Sequence, residues 1–280
     1  MAKRFNVFIS FDIEGVGGLT SWQELKKESP SLMQMRKLAT EEVNAAIRGI
    51  RNNRRDIGEI VICDSHANGE NLLIDRLETG VYLIKGTPRN YYMVEGIDKR
   101  FDILFFIGYH AMMGTQKAGM DHSYSSRTIY NIKINGKLVG ETEINAALAG
   151  YYKVPLGLVS GDDRLAKEVR RFFGRAVEVV ITKYGISRLA AKCRHPYEIQ
   201  KEIEIKAERA AKKISTLKPF SFRSPIRAEI DVINTLIADM IESAPGLKRV
   251  SGRKIIFRTK NVLEFYRMLR MICNLTCSVQ

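Results

Sequence analysis

Several features that mark whole classes of protein are scarce in this 280-residue sequence. Its cysteines number four, namely Cys63, Cys193, Cys273 and Cys277. None of them shows paired Cys-x-x-Cys spacing, so we expect reduced thiols rather than a disulfide framework or a cysteine-bound metal. No apolar run approaches the length of about 18 residues that a membrane-spanning helix needs, and the N-terminal run FNVFISF is too short for a signal peptide. These absences predict a cytoplasmic protein without a membrane partner.

Acidic residues are also in deficit, with 31 Asp and Glu against 45 Lys and Arg and a formal net charge of +14. Such an excess can indicate nucleic-acid binding. Here the basic residues are spread along amphipathic segments such as MRKLATEEVNAAIRGIRNNRR, where acids accompany them. The sequence has no contiguous basic stripe and no aromatic pattern of the RNA-binding type. We therefore interpret the charge as a solvated surface and expect no nucleic-acid partner, with an anionic ligand as the alternative.

Apolar strand-like runs alternate with helical patterns along the first half of the chain. Strands are predicted at Phe5–Phe11, 58–64, 80–86 and 101–110, and helices at 32–53 and 71–77. Continuous apolar strands separated by helices are typical of parallel sheets that are buried on both faces. The sequence therefore predicts an α/β fold with a mainly parallel sheet covered by helices on both faces.

The second half begins with a hairpin pattern, because IYNIKINGKLVGE alternates around Asn135-Gly136, a dipeptide that favours a type I′ turn. A helix from Glu141, a strand, a second helix capped by Asp162-Asp163 and another strand are expected to follow. After about residue 184 we predict longer helices, one strand region (KRVSGRKIIFRT) and a connector over 218–225. We divide the chain into an α/β core, residues 1–185, and a smaller helix-rich C-terminal portion, residues 186–280, either in the same domain or in subunit packing.

Acids and histidines fall just past the ends of the predicted strands. Asp12 and Glu14 follow the first strand, His66 the second and His110 the most apolar one, while Glu141 opens a helix after the hairpin. In open α/β sheets ligands bind at the carboxyl ends of strands, so these side chains are expected to converge. Asp12 and Glu14 would share one face of an extended chain and repel one another unless a cation lay between them.

Two imidazoles and three carboxylates favour zinc or a similar divalent transition metal over Mg²⁺ or Ca²⁺. Five ligands are too many for one tetrahedral ion. Two ions resolve the count if Asp12 bridges them, with Glu14 and His66 on one ion and His110 and Glu141 on the other. Such a pair can activate a shared water for hydrolysis. Each residue alone could be a turn former, a cap or an ordinary buried histidine, but their joint placement favours a metal site.

Two histidines remain outside this set. His122, in MDHSYSS on the segment after His110, can reach a substrate from a loop and act as a general acid/base or as a nucleophile. His195, in CRHPYE at a predicted helix start, is interpreted as a surface residue. The C-terminal helix NVLEFYRMLRMICNL is interpreted as core or subunit packing.

The segment SFDIEG, residues 10–15, resembles the SxDxEG signature of the D-aminopeptidase DppA family, the M55 zinc peptidases. Further blocks resemble the family in the same order over about residues 5–195: DSH (64–66), MVEG (93–96), GYHA (108–111), DHS (121–123), VGE and INA (139–146), AGYY-VP (149–155), GDDR (161–164) and ISR (186–188). The resemblance implies two zinc ions per chain, held by Asp12, Glu14, His66, His110 and Glu141. It also implies His122 as the catalytic histidine and a self-compartmentalising homodecamer of two pentameric rings. No motif after about residue 215 aligns with the family.

Together these observations predict a dinuclear zinc aminopeptidase that removes the N-terminal residue of short peptides. A preference for D-alanine follows from the resemblance alone. One alternative is a metal-dependent amidohydrolase or esterase that acts on a non-peptide substrate, since a dinuclear site hydrolyses many carbonyl and phosphoryl compounds. The other is a non-catalytic peptide-binding protein that keeps a structural zinc.

Overall fold

A computed structural model describes residues 4–52 and 54–276. The strands of this part of the chain are β1 (Phe5–Phe11), β2 (Ile57–Asp64), β3 (Tyr82–Ile84), β4 (Ile103–Tyr109), β5 (Ile129–Ile134), β6 (Lys137–Leu138), β7 (Leu156–Asp162), β8 (Glu178–Ser187), β9 (Ala190–Cys193), β10 (Ile226–Val232), β11 (Lys248–Ser251) and β12 (Lys254–Thr259). The helices are α1 (Leu32–Arg51), α2 (Glu141–Tyr151), α3 (Asp163–Phe173), α4 (Pro196–Lys212), α5 (Thr235–Ile241) and α6 (Val262–Thr276).

The larger sheet has the strand order β3-β2-β1-β4-β7-β8-β9. Its strands are parallel except for β9, which runs antiparallel to β8 at the edge. Alternate side chains of β1 enter two different cores: Val7 and Ile9 pack with α1 and α4, whereas Phe8 lies in the core that contains residues of α2, α3 and α6. Burial on both faces explains the almost continuous apolar character of β1 and β4. The predicted α/β fold, with helices on both faces of a mainly parallel sheet, is confirmed.

The smaller sheet is antiparallel and has the order β11-β12-β10-β5-β6. Its β5–β6 hairpin turns at Asn135 and Gly136, whose φ angles of 51° and 82° confirm the type I′ turn. The predicted single strand region near the C-terminus forms two strands, β11 and β12. The sequence prediction omitted β10, although IRAEIDV alternates buried apolar residues with more exposed charged ones. The proposed division at residue 185 stays a prediction, and β8 crosses that position as one strand.

The segment 71–77 also differs from the sequence prediction. The helix expected over 71–77 is wrong, because the structure has only a short 3₁₀ turn at Ile74–Arg76. The carboxylate of Asp64 accepts hydrogen bonds from the backbone amides of Asn71 at 2.6 Å and Leu72 at 2.9 Å, which holds the start of this segment as a loop. By contrast, Asp162 caps α3 as predicted, since its side chain accepts the first backbone amides of that helix.

Other predictions concern single residues and the membrane. Cys63 and Cys193 are free thiols, Cys273 is buried on α6, and Cys277 and Asn53 lie outside the described residues. In the described ranges we find no helix with both the length and the apolar character needed to cross a bilayer.

Candidate metal centre

The strand order places β1 and β4 side by side at the middle of the larger sheet. The chain continues from β1 toward β2 on one side and from β4 toward β7 on the other, so a topological switch point lies between β1 and β4. Ligands of open α/β sheets bind in the crevice at such a point. Asp12 directly follows β1 and His110 directly follows β4, and both therefore stand at this crevice.

Two glycines allow the turns after β1 and β4 to approach closely. The amide of Gly15 donates to the carbonyl oxygen of Gly108 at 2.7 Å. A Cβ on Gly15 would lie 1.9 Å from the carbonyl oxygen of Tyr109, and a Cβ on Gly108, whose φ is +73°, would lie 2.1 Å from that of Asp12. Only glycine fits at either position. This contact fixes the distance between the two strand ends that carry the acids and His110.

Of the six residues singled out from the sequence, five line one cleft, and the sixth, the buried His110, lies against Asp12 and Glu141. His66 Nδ1 lies 3.0 Å from Glu14 Oε2 and 3.4 Å from Asp12 Oδ1. His110 Nε2 lies 3.4 Å from Asp12 Oδ2 and 3.4 Å from Glu141 Oε1. The two oxygens of Asp12 thus face two different imidazoles. The assignment of these residues as ligands stays a prediction.

The three carboxylates of this cleft are almost completely buried. Asp12, Glu14 and Glu141 are 2%, 1% and 4% exposed. Within the described residues they form no ion pair with lysine or arginine, and their close charged partners are histidines. Burying several carboxylates without a compensating cation is costly. A divalent cation would supply the missing charge.

Two imidazoles are oriented so that Nε2 faces the buried carboxylates. The Nδ1 of His110 lies 3.0 Å from the carbonyl oxygen of Ala111, and the Nδ1 of His122 lies 3.1 Å from that of Met120. In each ring the proton therefore belongs on Nδ1, which leaves the Nε2 lone pair available, as in histidines that bind metals. The Nε2 of His110 is buried and has no hydrogen-bond partner among the described residues. The two rings stack with centroids 3.9 Å apart.

The same geometry shifts several pKa values in the metal-free protein. Burial and repulsion from Glu14 raise the pKa of Asp12 to about 7. Burial favours the neutral forms of Glu14 and His66, but their mutual attraction outweighs it, so the pKa of Glu14 falls and that of His66 rises well above its ordinary value. Burial and repulsion from His110 lower the pKa of His122. Neighbouring buried carboxyl groups whose pKa values shift in opposite directions, as those of Asp12 and Glu14 do, are typical of a functional site.

Several neighbouring groups that sequence analysis missed hold these side chains in place. Trp22 Nε1 donates to Glu14 Oε1 at 2.9 Å, and the backbone amide of Tyr124 donates to Glu141 Oε1 at 2.5 Å. Trp22 is the only tryptophan of the chain, which was the one available sequence signal. Backbone donors such as the Tyr124 amide leave no signal in residue types.

Geometry alone permits more than one assignment of metal-binding groups. One set with ligand atoms within 4.8 Å of one another is Asp12, Glu14 and His110, and another is His110, His122 and Glu141. His195, in contrast, is exposed and has a different role. It caps the start of α4, where its side chain accepts a hydrogen bond from the Tyr197 amide. Its interpretation as a surface residue is confirmed.

Comparison with known proteins identifies the family of this chain. The sequence model of the peptidase M55 family, D-aminopeptidase, matches residues 5–271. The chain belongs to the M55 family. A D-aminopeptidase from Bacillus subtilis (strain 168) is 31% identical to it over 272 residues, which are 96% of this chain and 97% of that protein.

A solved structure resembles this M55 chain along nearly its whole length. It is that of the Zn-dependent D-aminopeptidase DppA from Bacillus subtilis, a self-compartmentalizing protease. The TM-score is 0.91 at 31% identity, with 97% of each chain covered. These comparisons confirm the family resemblance, the fold and the prediction of a hydrolase of the D-aminopeptidase type. The family match also includes residues beyond 215, where motifs alone had given no alignment.

Proposed function

We propose that this chain is a dinuclear zinc aminopeptidase that removes an N-terminal D-amino acid, of the D-alanine type, from short peptides. The observation that carries the proposal is the placement of Asp12 between two groups of donors. Its Oδ1 lies 3.4 Å from His66 Nδ1 and its Oδ2 lies 3.4 Å from His110 Nε2. This arrangement suits a carboxylate that bridges two cations, with Glu14 beside His66 and Glu141 beside His110.

The residues of the cleft fit zinc. Imidazole and carboxylate groups are ligands that zinc accepts. The buried Nε2 of His110 has no hydrogen-bond partner in the described structure and faces the carboxylates of Asp12 and Glu141. We assign Glu14 and His66 to one ion, His110 and Glu141 to the other, and Asp12 to both. When bound, two zinc ions polarise a substrate carbonyl and lower the pKa of water.

His122 is proposed as the catalytic histidine. Its Nε2 lies 3.9 Å from Glu14 Oε1 and 3.8 Å from Glu141 Oε1, so it faces the reacting region without a short hydrogen bond to either. The loop that carries it is held by Arg188, whose guanidinium donates to the side chain and the backbone carbonyl of Asp121. A positioned imidazole at this place can transfer a proton to the leaving amine.

The cleft also favours a small substrate with a free carboxylate. Its volume of about 430 Å³ lies in the range of small-molecule sites. Among the described residues that line the cleft, Arg127 is the single lysine or arginine. It forms no ion pair with any acidic residue that the structure describes. A guanidinium binds carboxylates in bidentate geometry. We assign Arg127 to the C-terminal carboxylate of a di- or tripeptide.

The assembly and location are further parts of the proposal. The related protease from Bacillus subtilis is self-compartmentalizing. We propose that this chain likewise forms a closed homo-oligomer, a decamer of two pentameric rings as the family resemblance implies, in which access is limited to short peptides. We place it in the cytoplasm, which agrees with the free thiols of Cys63 and Cys193.

The experiment is a substrate panel measured before and after chelation. The purified protein is assayed with D-alanyl and L-alanyl dipeptides, a simple amide, an ester and a phosphoester. We expect cleavage of the D-alanyl dipeptide that chelation abolishes and added zinc restores. Equal cleavage of the L-alanyl dipeptide would remove the stereochemical part of the proposal. Turnover of the ester or phosphoester alone would favour the non-peptide alternative, and activity indifferent to chelation would contradict the metal centre.

A further inference from the structure

A fully buried lysine lies directly beneath the segment that leads away from Glu14. Lys183, the sixth of the ten residues of β8, is 1% exposed. Its ammonium donates to the backbone carbonyl oxygens of Glu14, of Val16 at 3.2 Å and of Leu19 at 2.5 Å. Burial of a lysine is costly unless its charge is compensated, so such a residue needs a structural or functional reason.

The three acceptors belong to one short stretch, residues 14–19, which has neither helical nor strand hydrogen bonding. Three carbonyl dipoles that point at one place repel each other unless a donor or cation lies between them. Thr182 adds a fourth contact, because its Oγ1 donates to the carbonyl oxygen of Gly15 at 2.5 Å. Thr182 and Lys183 therefore hold the backbone from Glu14 to Leu19, the segment that leads toward Trp22.

Lys183 also lies beside the loop that carries His122. The carboxylate of Asp162 attracts its ammonium, and Asp162 Oδ2 accepts the backbone amide of Gly119 at 2.7 Å. A Cβ on Gly119 would lie 3.6 Å from Lys183 Cε and 3.7 Å from Asp162 Oδ2. Lys183 and Asp162 thus both lie beside Gly119, at the start of the loop that holds His122, while the Lys183 ammonium also contacts the segment after β1.

We propose that Lys183, with Thr182, is a positioning residue of the metal centre, one that fixes residues 14–19 so that the Glu14 carboxylate is aimed at its cation. Lys183 touches neither cation nor substrate and acts through the backbone. The inference rests on the proposed function, since it requires a metal at Glu14. Groups that orient a metal ligand typically change metal affinity by about 10–100-fold when they are removed.

The test is Lys183→Met, which keeps an unbranched side chain of similar length and removes the ammonium. Zinc affinity is measured by competition with a chromogenic chelator, and ligand geometry by the visible absorption spectrum of the cobalt-substituted protein. We expect a loss of zinc affinity of about 10–100-fold and an altered cobalt spectrum. Lys206→Met is the matched control, because Lys206 Nζ also donates to a backbone carbonyl, that of Val179 at 2.6 Å, but lies on α4. It should behave as the wild type.

A second variant keeps the inference testable if Lys183→Met does not fold. Thr182→Val removes one hydroxyl and leaves the shape of the side chain, so we expect zinc affinity to fall by about 2–10-fold, the effect of one neutral hydrogen bond. Folded variants with wild-type zinc affinity and cobalt spectrum, even if less stable, would overturn the positioning role. Absence of zinc binding by the wild type would instead contradict the proposed function itself, and the inference would fall with it.

Discussion

Replacing His122 with alanine is expected to lower kcat by about 10²–10⁴-fold, which is the contribution of a positioned general acid/base, while the zinc content stays the same. The fold-change corresponds to about 3–5 kcal/mol in the activation free energy. The carboxylate oxygens nearest to His122 Nε2 are 3.8 and 3.9 Å away, and both have other donors, Trp22 Nε1 and the Tyr124 amide. Removal of the ring should therefore leave Glu14 and Glu141 in place. Loss of the stacking on His110 should cost about 0.5–1.5 kcal/mol of stability.

The assay combines elemental analysis with steady-state kinetics on a D-alanyl dipeptide. His195→Asn serves as the matched control, since it replaces an exposed histidine at a helix N-cap with another residue that caps well. It should retain both zinc and activity. The reasoning would be refuted if His122→Ala lost about one zinc per chain, because His122 would then be a ligand, as its proximity to His110 and Glu141 also permits.

Three further predictions concern stability, specificity and the switch point. Burial raises the pKa of Glu42 to about 7 from an ordinary 4.5, so between these pH values the folded protein keeps a proton that the unfolded chain has lost. Glu42 should therefore make the free energy of unfolding fall with rising pH by up to about 3 kcal/mol in this window, and Glu42→Gln should reduce the slope by that contribution in denaturant titrations at pH 4.5–7.5. Arg127→Met should lower kcat/KM for free dipeptides by about 10–100-fold and leave that for the C-terminally amidated dipeptides unchanged in steady-state assays. Gly15→Ala should destabilise the protein by about 1–3 kcal/mol or more and weaken zinc binding, as measured by thermal unfolding with and without zinc, because its Cβ would lie 1.9 Å from a carbonyl oxygen.

Each of these predictions has its own control and its own contradicting result. For Glu42, the control is Glu41→Gln, whose side chain is 45% exposed, and an unchanged slope in Glu42→Gln would disprove the assignment. Equal losses on free and amidated dipeptides would show that Arg127 does not bind the carboxylate. Gly252→Ala, where a Cβ would lie 3.7 Å from its nearest neighbour, should be tolerated. If Gly15→Ala were tolerated as well, the close approach would not matter.

The sequence predicted the larger sheet well because its strands are buried on both faces. β1 and β4 carry almost unbroken apolar runs, and such runs are recognisable without knowledge of their neighbours. Asp12 and His110 could be placed at one edge because parallel strands bring their carboxyl ends together. The same argument placed His66 and Glu141 nearby, although only the structure gives the distances between their side chains.

The features that were missed depend on contacts between distant residues. β10 is an exception, because its apolar residues alternate with Arg227, Glu229 and Asp231, a strand pattern that the sequence itself carries. The loop at 71–77 has helix-forming residues, but Asp64 binds its amides. A lysine after an apolar strand pattern is expected at the surface, but Lys183 is buried. Its partners are carbonyl groups more than 160 residues earlier in the chain.

The most direct test of the metal centre is a crystal structure of the zinc-loaded protein with anomalous diffraction measured on both sides of the zinc absorption edge. The account predicts two zinc peaks in each chain, one beside Glu14 and His66 and the other beside His110 and Glu141, with Asp12 between them. A single peak would contradict the dinuclear assignment. Zinc bound elsewhere, with this cleft empty, would contradict the centre altogether.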